Sequence, residues 1–402
     1  MNAGALKPLF SAEEYRARWR AVHDAMKQRG LEAAVVWSRG GGTWDRFQEV
    51  FYLTNYYSCN SGYMYDGMQK GTRAAAHCAV ILQANREPIL IADDPTLDRA
   101  GIATTHIDAG TDVVALLAAA LVREGIEGTV GFVGSDCIYA KHMTALRDLA
   151  PQIAWQEEDG LVLDLRIIKS PAELEVFRYA GETVSAALSR LFEVIFAGGS
   201  EADAAGEAAR EVYRRQGHVN QILVAHGPWT TERITDTPTA GYSTATPQDG
   251  DLVRGWVYGA MYQGYWLDPG RTSVVGLRPT PDKKRLVESC ADIVERLRAE
   301  IRPGVRVADI AALGDRLRRE YYGDEAIEED WYVFGHGNGL YFEPPIIAPG
   351  YDGKHAVFRE NMVAATELFL NLPGVGSAGF EQNFIVTRYG TELLTTTPLI
   401  WW

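Results

Sequence analysis

The sequence predicts an α/β domain over residues 1–160, followed by a larger domain of helices and antiparallel strands over residues 161–402. Two observations predict this fold class. Helical and strand patterns alternate up to about residue 160, which is typical of an α/β domain. A long helical pattern then begins near Ser170, and strand patterns dominate from Tyr332 to the C-terminus. A chain of 402 residues is long enough for two such domains.

The first domain opens with a helix. Ser11 and Glu14 form a capping box, and Gly30 suits the end of the helix after about Gln28. The elements predicted after it are a buried strand at 33–37, a strand pair at 77–82 and 88–92, an amphipathic helix at 113–124 and a strand at 129–133.

The second domain also opens with a helix. Ser170 and Glu173 form a capping box, and Pro171 suits the first helical position, so a long helix is expected to about Phe196. Gly198 and the next glycine end it. The elements predicted after it are a helix at 200–216, strands at 221–225, 251–259 and 264–276, and helices at 281–301 and 307–321.

Composition excludes several classes of partner. The formal net charge is −14, which argues against nucleic acid because phosphates would be repelled. The longest apolar run, 113–122, is too short to cross a bilayer, and the N-terminus lacks the pattern of a secretory signal. The four cysteines show no CxxC spacing, so we expect reduced thiols and a cytoplasmic protein.

One histidine and three carboxylates stand out as a ligand set. His336 lies in a glycine-rich loop, 335–339, where the glycines let the backbone approach another group closely. Glu367 and Glu381 lie in predicted antiparallel strands, and Asp268 lies upstream. One imidazole and three carboxylates suit a divalent cation such as Mn, Fe, Co or Zn. The alternative is a metal-free pocket in which the carboxylates pair with arginines and backbone donors.

Five sequence blocks in a fixed order resemble the creatinase/aminopeptidase P/methionine aminopeptidase superfamily, whose catalytic domain has the pita-bread fold. The blocks are Arg-x-x-Lys-Ser-Pro-x-Glu at 166–173, Gly-Asp-Leu-Val at 250–253, Gly-Tyr-x-x-Asp-x-x-Arg-Thr at 264–272, Gly-His-Gly-x-Gly at 335–339 and Met-Val-x-x-x-Glu at 362–367, with Glu381 after them. The resemblance covers about residues 160–390. It implies a creatinase-type N-terminal α/β domain and a homodimer.

The resemblance also assigns roles to the ligand set. Asp268 matches the second, bridging aspartate of the family, His336 its ligand histidine, and Glu367 and Glu381 its two glutamates. It therefore implies a bound divalent metal. A metal-free site stays open, because creatinase itself works without metal.

The departures from the family pattern are as informative. The first ligand aspartate of the family usually lies eleven residues before the second, where this chain has Val257. The register could slip by one residue, but no acidic residue lies between Asp251 and Asp268. We therefore expect one metal per subunit. The proton-donating histidine of the family would lie near Ile234, and the arginine that holds a substrate carboxylate often stands where Gly379 does. These departures argue against an Xaa-Pro peptidase with two metal ions.

Further residues near these blocks are candidates for catalysis and substrate binding. Glu367 is a candidate general base, His226 lies at a strand end, and Glu343 takes part of the place of a second family histidine. The catalytic candidates are His336, Glu367, His226 and Glu343, and the substrate-binding candidates are Arg254, Arg271 and Tyr265. The resemblance further suggests that the aromatic-rich segment 45–70 is a lid that reaches the neighbouring subunit.

The predicted function is hydrolysis of a C–N bond, amide or amidine, in a small polar metabolite. Three alternatives remain: an Xaa-Pro dipeptidase or aminopeptidase; a lyase resembling the dimethylsulfoniopropionate-cleaving members of the superfamily; and a catalytically inactive binding module. The lyase rests on the His-Gly-x-Gly-Leu sequence followed by an acid and a proline. The binding module conflicts with four retained residues of ligand type.

Overall fold

The computed structural model describes residues 9–40, 46–58, 71–231, 241–323 and 333–402. The chain divides into two compact units, Met1–Arg166 and Ile167–Trp402. Half of the predicted lid, at 45 and 59–70, lies outside the described residues, as does Ile234.

The first unit contains a mixed sheet of six strands in the order β4-β3-β2-β1-β5-β6 among its described residues. The central strand β1 pairs antiparallel with β2 and parallel with β5, and both β1 and β2 are buried along nearly their whole length. The strands are β1 Ala33–Arg39, β2 His77–Gln83, β3 Ile89–Ala92, β4 His106–Ala109, β5 Gly128–Val133 and β6 Ile153–Glu157.

Helices accompany this sheet in the alternating order expected of an α/β domain. The predicted cap of the first helix is confirmed, because Ser11 Oγ accepts the backbone N–H of Glu14 at 3.2 Å. The helices are α1 Ala12–Gln28, α2 Gln48–Thr54, α3 Val113–Arg123, α4 Ala140–Leu149 and α5 Gly160–Arg166. Cys78, Cys137 and Cys290, the described cysteines, are buried and form no disulfide with one another, as expected for reduced thiols.

The second unit is built on an antiparallel sheet of nine described strands, seven of which run in the order β12-β11-β13-β14-β10-β8-β7. β15 pairs with β14, and β9 pairs with β8. The strands are β7 Gln221–His226, β8 Leu252–Tyr262, β9 Tyr265–Leu267, β10 Gly270–Val274, β11 Gly335–Asn338, β12 Phe342–Ile346, β13 Val363–Leu372, β14 Gly376–Thr387 and β15 Gly390–Leu393.

In the described part of this unit, four helices cover one face of the sheet or flank it, and both predicted capping boxes, at Ser170 and Ser200, are present. Gly255 on β8 faces Leu191 and Phe192. On β13, Thr366 Oγ1 donates to the carbonyl oxygen of Val294 at 3.2 Å. The helices are α6 Pro171–Phe196, α7 Glu201–Arg214, α8 Pro281–Glu300 and α9 Val307–Tyr322. Side chains on the opposite face of the sheet therefore do not pack against these helices.

The predicted strand 264–276 is in fact two strands, β9 and β10, separated by Asp268 and Pro269. Proline has no N–H to donate to a ladder, which favours a break at this point. Asp268 therefore lies at a strand junction. None of the helices in the described ranges is long and apolar enough to cross a membrane.

Candidate metal centre

Strand register brings the acidic residues together on the face opposite the helices. Glu381 in β14 lies directly opposite Glu367 in β13 and opposite Gly270 in β10, and Gly270 in turn lies opposite Trp256 in β8. Residues directly opposite each other in a sheet point to the same face. Glu367, Glu381 and Trp256 therefore share one face, in one row across four strands.

His336 completes the cluster from β11. Its Nε2 lies 3.3 Å from Asp268 Oδ2, 3.7 Å from Glu367 Oε1 and 3.8 Å from Glu381 Oε1. Its Nδ1 lies 3.2 Å from the carbonyl oxygen of Gly337, a contact that turns Nε2 towards the carboxylates. The four predicted ligand residues are all at most 5% exposed.

Gly335 permits the close strand contact that places His336. Its φ is 140°, and a Cβ there would collide with the backbone carbonyl of Ala365 in the paired strand. Glycine alone adopts this backbone region without strain. The glycine-rich loop thus presses the histidine-bearing strand against the glutamate-bearing strand.

The donor set fits a divalent cation. Asp268, His336 and Glu381 each offer a ligand atom, and these atoms lie within 4.8 Å of one another. One imidazole nitrogen and carboxylate oxygens are the ligands that Mn, Fe, Co and Zn accept. Like charges in a buried site repel unless a cation or a proton lies among them.

Without a bound cation, protons on these side chains reduce the repulsion. Burial opposes ionisation of Asp268, but the charge of His336 and hydrogen bonds from His336, Glu381 and Asn338 lower the pKa of Asp268 to about 2. Burial also opposes a charged imidazole, yet Asp268 and Glu367 raise the pKa of His336 to about 9. Burial and the charges of Asp268 and Glu367 raise the pKa of Glu381 well above its usual range.

Three side chains that the sequence analysis did not single out donate to the ligand carboxylates. Asn338 Nδ2 and Asn383 Nδ2 each donate to Asp268 Oδ1 at 2.9 Å, and Asn383 Nδ2 also lies 3.1 Å from Glu381 Oε1. Trp256 Nε1 donates to Glu381 Oε2 at 3.0 Å. Strand alternation was an available signal for Asn338 and Asn383, which lie two residues beyond His336 and Glu381. Asn338 Oδ1 is buried without a partner in the described part of the chain, and so remains an acceptor beside Asp268.

Trp256, and not Val257, occupies the row position in which we expected the missing aspartate. The strand pair β8–β9 contains a bulge at which Met261 is the extra residue between the pairs formed by Ala260 and Tyr262. A bulge adds one residue to one strand, so Trp256 lies twelve residues before Asp268. The prediction of Val257 was therefore wrong by one residue, although the absence of an acidic residue holds.

The Trp256 indole fills the space beside the carboxylates. A Cβ at Gly270 would overlap the indole, and a Cβ at Gly379 would crowd it as well. The Phe369 ring stacks on the indole with centroids 5.0 Å apart and planes at 18°. The two glycines and Phe369 thus form a slot that holds this tryptophan.

Comparison with known protein families decides the assignment of the chain. Residues 175–388, more than half of the chain, match the model of metallopeptidase family M24. The chain belongs to metallopeptidase family M24. The predicted resemblance to the creatinase/aminopeptidase P superfamily is thereby confirmed, and so is the prediction of a metal-dependent hydrolase class.

Curated relatives of this M24 chain include two archaeal proteins. An Xaa-Pro dipeptidase of Pyrococcus horikoshii is 28% identical over 252 residues, covering 60% of this chain and 66% of the relative, which is just under two thirds of its length. An Xaa-Pro dipeptidase of Pyrococcus furiosus is 26% identical over 279 residues, covering 68% of this chain and 73% of the relative.

Solved structures confirm the predicted architecture. The prolidase of Pyrococcus horikoshii superposes with a TM-score of 0.74 at 21% identity, covering 96% of this chain and 100% of the other. An aminopeptidase P of Escherichia coli superposes with a TM-score of 0.73 at 17% identity, covering 96% of each chain. The α/β N-terminal domain with a pita-bread domain is therefore the fold of this M24 chain.

Arg254, one of the predicted substrate-binding residues, lies beside the M24 ligand cluster. It is 8% exposed, and its Nη1 donates to the Thr230 carbonyl at 2.9 Å and to Ser377 Oγ at 2.5 Å. Its guanidinium lies 5.0 Å from the ring centroid of Phe369 and 5.5 Å from that of Trp256. Arg254 therefore adds a buried positive charge to the face that carries the acidic row.

The structure does not bring His226 to the cluster. His226 pairs with Val253, so its side chain shares the helix-covered face of β8, and its Nδ1 lies 2.6 Å from Glu201 Oε1 on α7. The prediction of a catalytic role for His226 is corrected on this ground.

Glu343 is held in an ion pair rather than offered to a reacting atom. Its Oε2 lies 2.7 Å from Lys169 Nζ, and both side chains are at most 2% exposed. The contact joins the Lys-Ser-Pro block to the strand after the glycine-rich loop. A structural role replaces the predicted catalytic one.

Arg271 and Tyr265 also make contacts within the protein instead of facing the acidic row. The Arg271 side chain is fully buried and donates to carbonyl oxygens of Gly270, Glu381 and Thr397. The Tyr265 hydroxyl donates to Glu173 Oε1 at 2.8 Å on α6. Arg271 positions the backbone that carries Glu381, and Tyr265 anchors the sheet to a helix, so the prediction that they bind substrate was wrong.

Proposed function

We propose that the protein is a hydrolase of dipeptides that end in proline and that it works with one divalent cation. The single observation that carries the proposal is the convergence of His336 Nε2 on oxygens of Asp268, Glu367 and Glu381 within 3.8 Å. The Xaa-Pro dipeptidases among the relatives favour this alternative over the non-peptide metabolite of our main prediction.

Asp268, His336, Glu367 and Glu381 would hold the cation, which supplies a water of lowered pKa and polarises the scissile carbonyl. Glu367 is the general base of this proposal. It takes a proton from the attacking water and returns it to the proline nitrogen as the C–N bond breaks. The neighbouring Glu381 accepts hydrogen bonds from Trp256 Nε1 at 3.0 Å and from Asn383 Nδ2 at 3.1 Å, which hold its carboxylate in place.

Arg254 is the proposed anchor for the carboxylate of the dipeptide. A buried guanidinium requires polar partners, and its Nη1 already has two oxygen partners that hold it in place. Ser377, one of them, lies two residues before Gly379, the position at which the family arginine often stands. The positive charge would therefore come from β8 instead of β14.

Phe342 is the proposed contact for the proline ring. Its ring lies 4.8 Å from that of His336, edge to face, and the residue is 37% exposed. Trp266 and Tyr341 back it with ring centroids 5.7 Å and 5.2 Å away. An exposed aromatic ring beside the ligand cluster suits the apolar pyrrolidine ring of proline.

The test is turnover by chelator-stripped protein reloaded with Mn²⁺, Co²⁺ or Zn²⁺. We expect Xaa-Pro dipeptides to be cleaved and Xaa-Pro amides to be cleaved far less, because the amide lacks the charge that Arg254 would bind. Arg254→Met should reduce kcat/KM for the free dipeptide about ten- to a hundredfold, as expected for losing a charged hydrogen bond, and should leave the amide unchanged. Equal turnover of both substrates would refute the anchor, and no dipeptide cleavage with any cation would refute the function.

Hydrolysis of a C–N bond in a small polar metabolite is the second candidate. Trp256 in the acidic row and Glu343 after the glycine-rich loop favour it, because they stand where the family pattern has an aspartate and a histidine. Guanidino acids resembling creatine and cyclic amidines belong in the same assay. Their turnover without dipeptide cleavage would select this candidate.

A further inference from the structure

We infer that three N–H groups, from Trp256, Asn338 and Asn383, stand where a second cation would otherwise bind, so that this centre is built for a single ion. The inference rests on the proposed cation site but not on the proposed substrate. It concerns which carboxylate oxygens remain available to a metal.

The two oxygens of Asp268 have different environments. Oδ2 faces His336 Nε2 at 3.3 Å, whereas Oδ1 accepts two amide N–H groups, from Asn338 and Asn383, each at 2.9 Å. Asn383 Oδ1 also accepts the backbone N–H of Asp268 at 3.2 Å, which fixes the orientation of its amide. One oxygen is therefore directed to the ligand cluster and the other is engaged by fixed donors.

Glu381 is divided in the same way. Oε1 faces His336 Nε2 at 3.8 Å and has Asn383 Nδ2 at 3.1 Å, while Oε2 accepts the indole N–H of Trp256 at 3.0 Å. A carboxylate that bridges two cations needs one oxygen for each. In both carboxylates the outer oxygen is instead engaged by N–H donors.

The nitrogen atoms of these donors cannot become ligands. The indole Nε1–H is a donor only, and an amide nitrogen has no lone pair to offer. A second cation would have to displace three hydrogen bonds to charged acceptors, each stronger than a neutral one. The N–H groups thus supply the partial positive charge that the outer oxygens require.

The space for a second cation is also filled. The indole lies over Gly270 and Gly379 and stacks on Phe369, so the row position opposite Gly270 holds a tightly packed ring. No carboxylate stands at that position. The indole thus stands in the position of the missing ligand and fills the space that a second cation would need. The indole and the two amides together engage the outer carboxylate oxygens.

Metal counting on the full-length protein tests the inference. Chelator-stripped protein is titrated with Mn²⁺ by calorimetry, bound manganese is measured by elemental analysis, and its electron paramagnetic resonance spectrum is recorded. We expect one equivalent with the hyperfine pattern of an isolated Mn²⁺ ion. Two equivalents with an exchange-coupled spectrum in the wild-type protein would overturn the inference.

Two substitutions at one position separate the loss of the donor from the gain of a ligand. Trp256→Phe removes the N–H together with part of the ring volume and should stay at one equivalent, because no ligand is gained. Trp256→Asp supplies a carboxylate in the acidic row and should bind a second equivalent with exchange coupling; a variant that is folded by circular dichroism and still binds one would contradict us. If Trp256→Asp does not fold, the wild-type count decides.

The outcomes distinguish this inference from the proposed function. Two coupled equivalents with Xaa-Pro cleavage would leave the proposed substrate class and remove the single cation, and with it the inference. One equivalent without dipeptide cleavage would do the reverse. No bound metal under any condition would overturn both.

Discussion

Glu367 and Glu381 lie directly opposite each other in β13 and β14, and His336 Nε2 approaches both from β11 at 3.7 Å and 3.8 Å. Two buried carboxylates at paired positions repel each other unless positive charge lies between them. The imidazole supplies that charge in the ion-free site. A divalent cation would supply it more fully, which leads to the first prediction.

Saturating Mn²⁺ should stabilise the chelator-stripped protein against thermal unfolding. A ligand at one hundred times its Kd adds about 2.7 kcal/mol to the free energy of unfolding. Differential scanning calorimetry with and without Mn²⁺ measures the shift in Tm. Glu381→Gln should lose most of the shift, and an unchanged wild-type Tm would exclude a cation at this cluster.

Metal affinity should rise with pH, because a cation must displace protons from His336 and Glu381. The pKa of His336 is raised to about 9, so the imidazole holds a proton at neutral pH, and the raised pKa of Glu381 acts in the same direction. Calorimetry at about pH 6.5 and about pH 8.5, in buffers of different ionisation enthalpy, counts the protons released. Binding without proton release would contradict this arrangement.

The stability of the metal-free protein against unfolding should instead fall as the pH rises. The folded pKa of His336 lies near 9, above its unfolded value near 6.5, so its contribution to stability is complete below about pH 6.5 and is lost as the pH rises through about 9. Glu381, whose pKa is also raised, acts in the same direction. Urea unfolding of stripped protein across this range measures the loss, and His336→Asn should flatten it.

Asn383→Leu should weaken metal binding about ten- to a hundredfold, because its amide orients both Asp268 and Glu381. Calorimetric titration with Mn²⁺ measures the change. Asn371→Leu, on the neighbouring strand four residues beyond Glu367, is the matched control and should leave the Kd unchanged. Equal effects of the two substitutions would show that Asn383 acts only through folding.

Gly270→Ala should destabilise the fold by roughly 1–3 kcal/mol, the usual effect of overpacking, because the added methyl group overlaps the Trp256 indole. The same change in a Trp256→Ala background should cost much less, because the overlap is gone. A double-mutant cycle by urea unfolding gives the coupling between the two positions. A coupling free energy near zero would contradict the tight packing of Trp256 against Gly270.

Lys169→Met should destabilise the protein by roughly 3–5 kcal/mol, since it leaves Glu343 charged, buried and without the ammonium group. The double variant Lys169→Met/Glu343→Leu should recover much of the loss. Unfolding curves measure both. A fall in kcat for Glu343→Gln without loss of stability would instead restore the catalytic role that the sequence suggested.

The order of blocks along the sequence was enough to predict the fold and the four residues of the candidate cation site. Their spacing was not enough to place Trp256, because a bulge with Met261 as the extra residue moves the strand by one position. In an antiparallel sheet one position exchanges the two faces. The same parity explains His226, which a strand-end argument assigned to the site although it shares the face of Val253.

Short elements were also beyond the sequence patterns. The strand β4 at 106–109 is mostly half-exposed, and α4 at 140–149 buries His142 and Leu146 alone of its side chains. Such segments show little periodicity, and tertiary contacts decide their structure. The predicted homodimer and the predicted lid, half of whose residues lie outside the described ranges, stay predictions.

The slot around Trp256 also makes three positions interdependent. Because a methyl group at position 270 overlaps the indole and one at position 379 crowds it, this tryptophan packs without strain only while both positions are glycine. Protein engineering that enlarges either glycine therefore has to introduce a smaller residue in place of Trp256 in the same step.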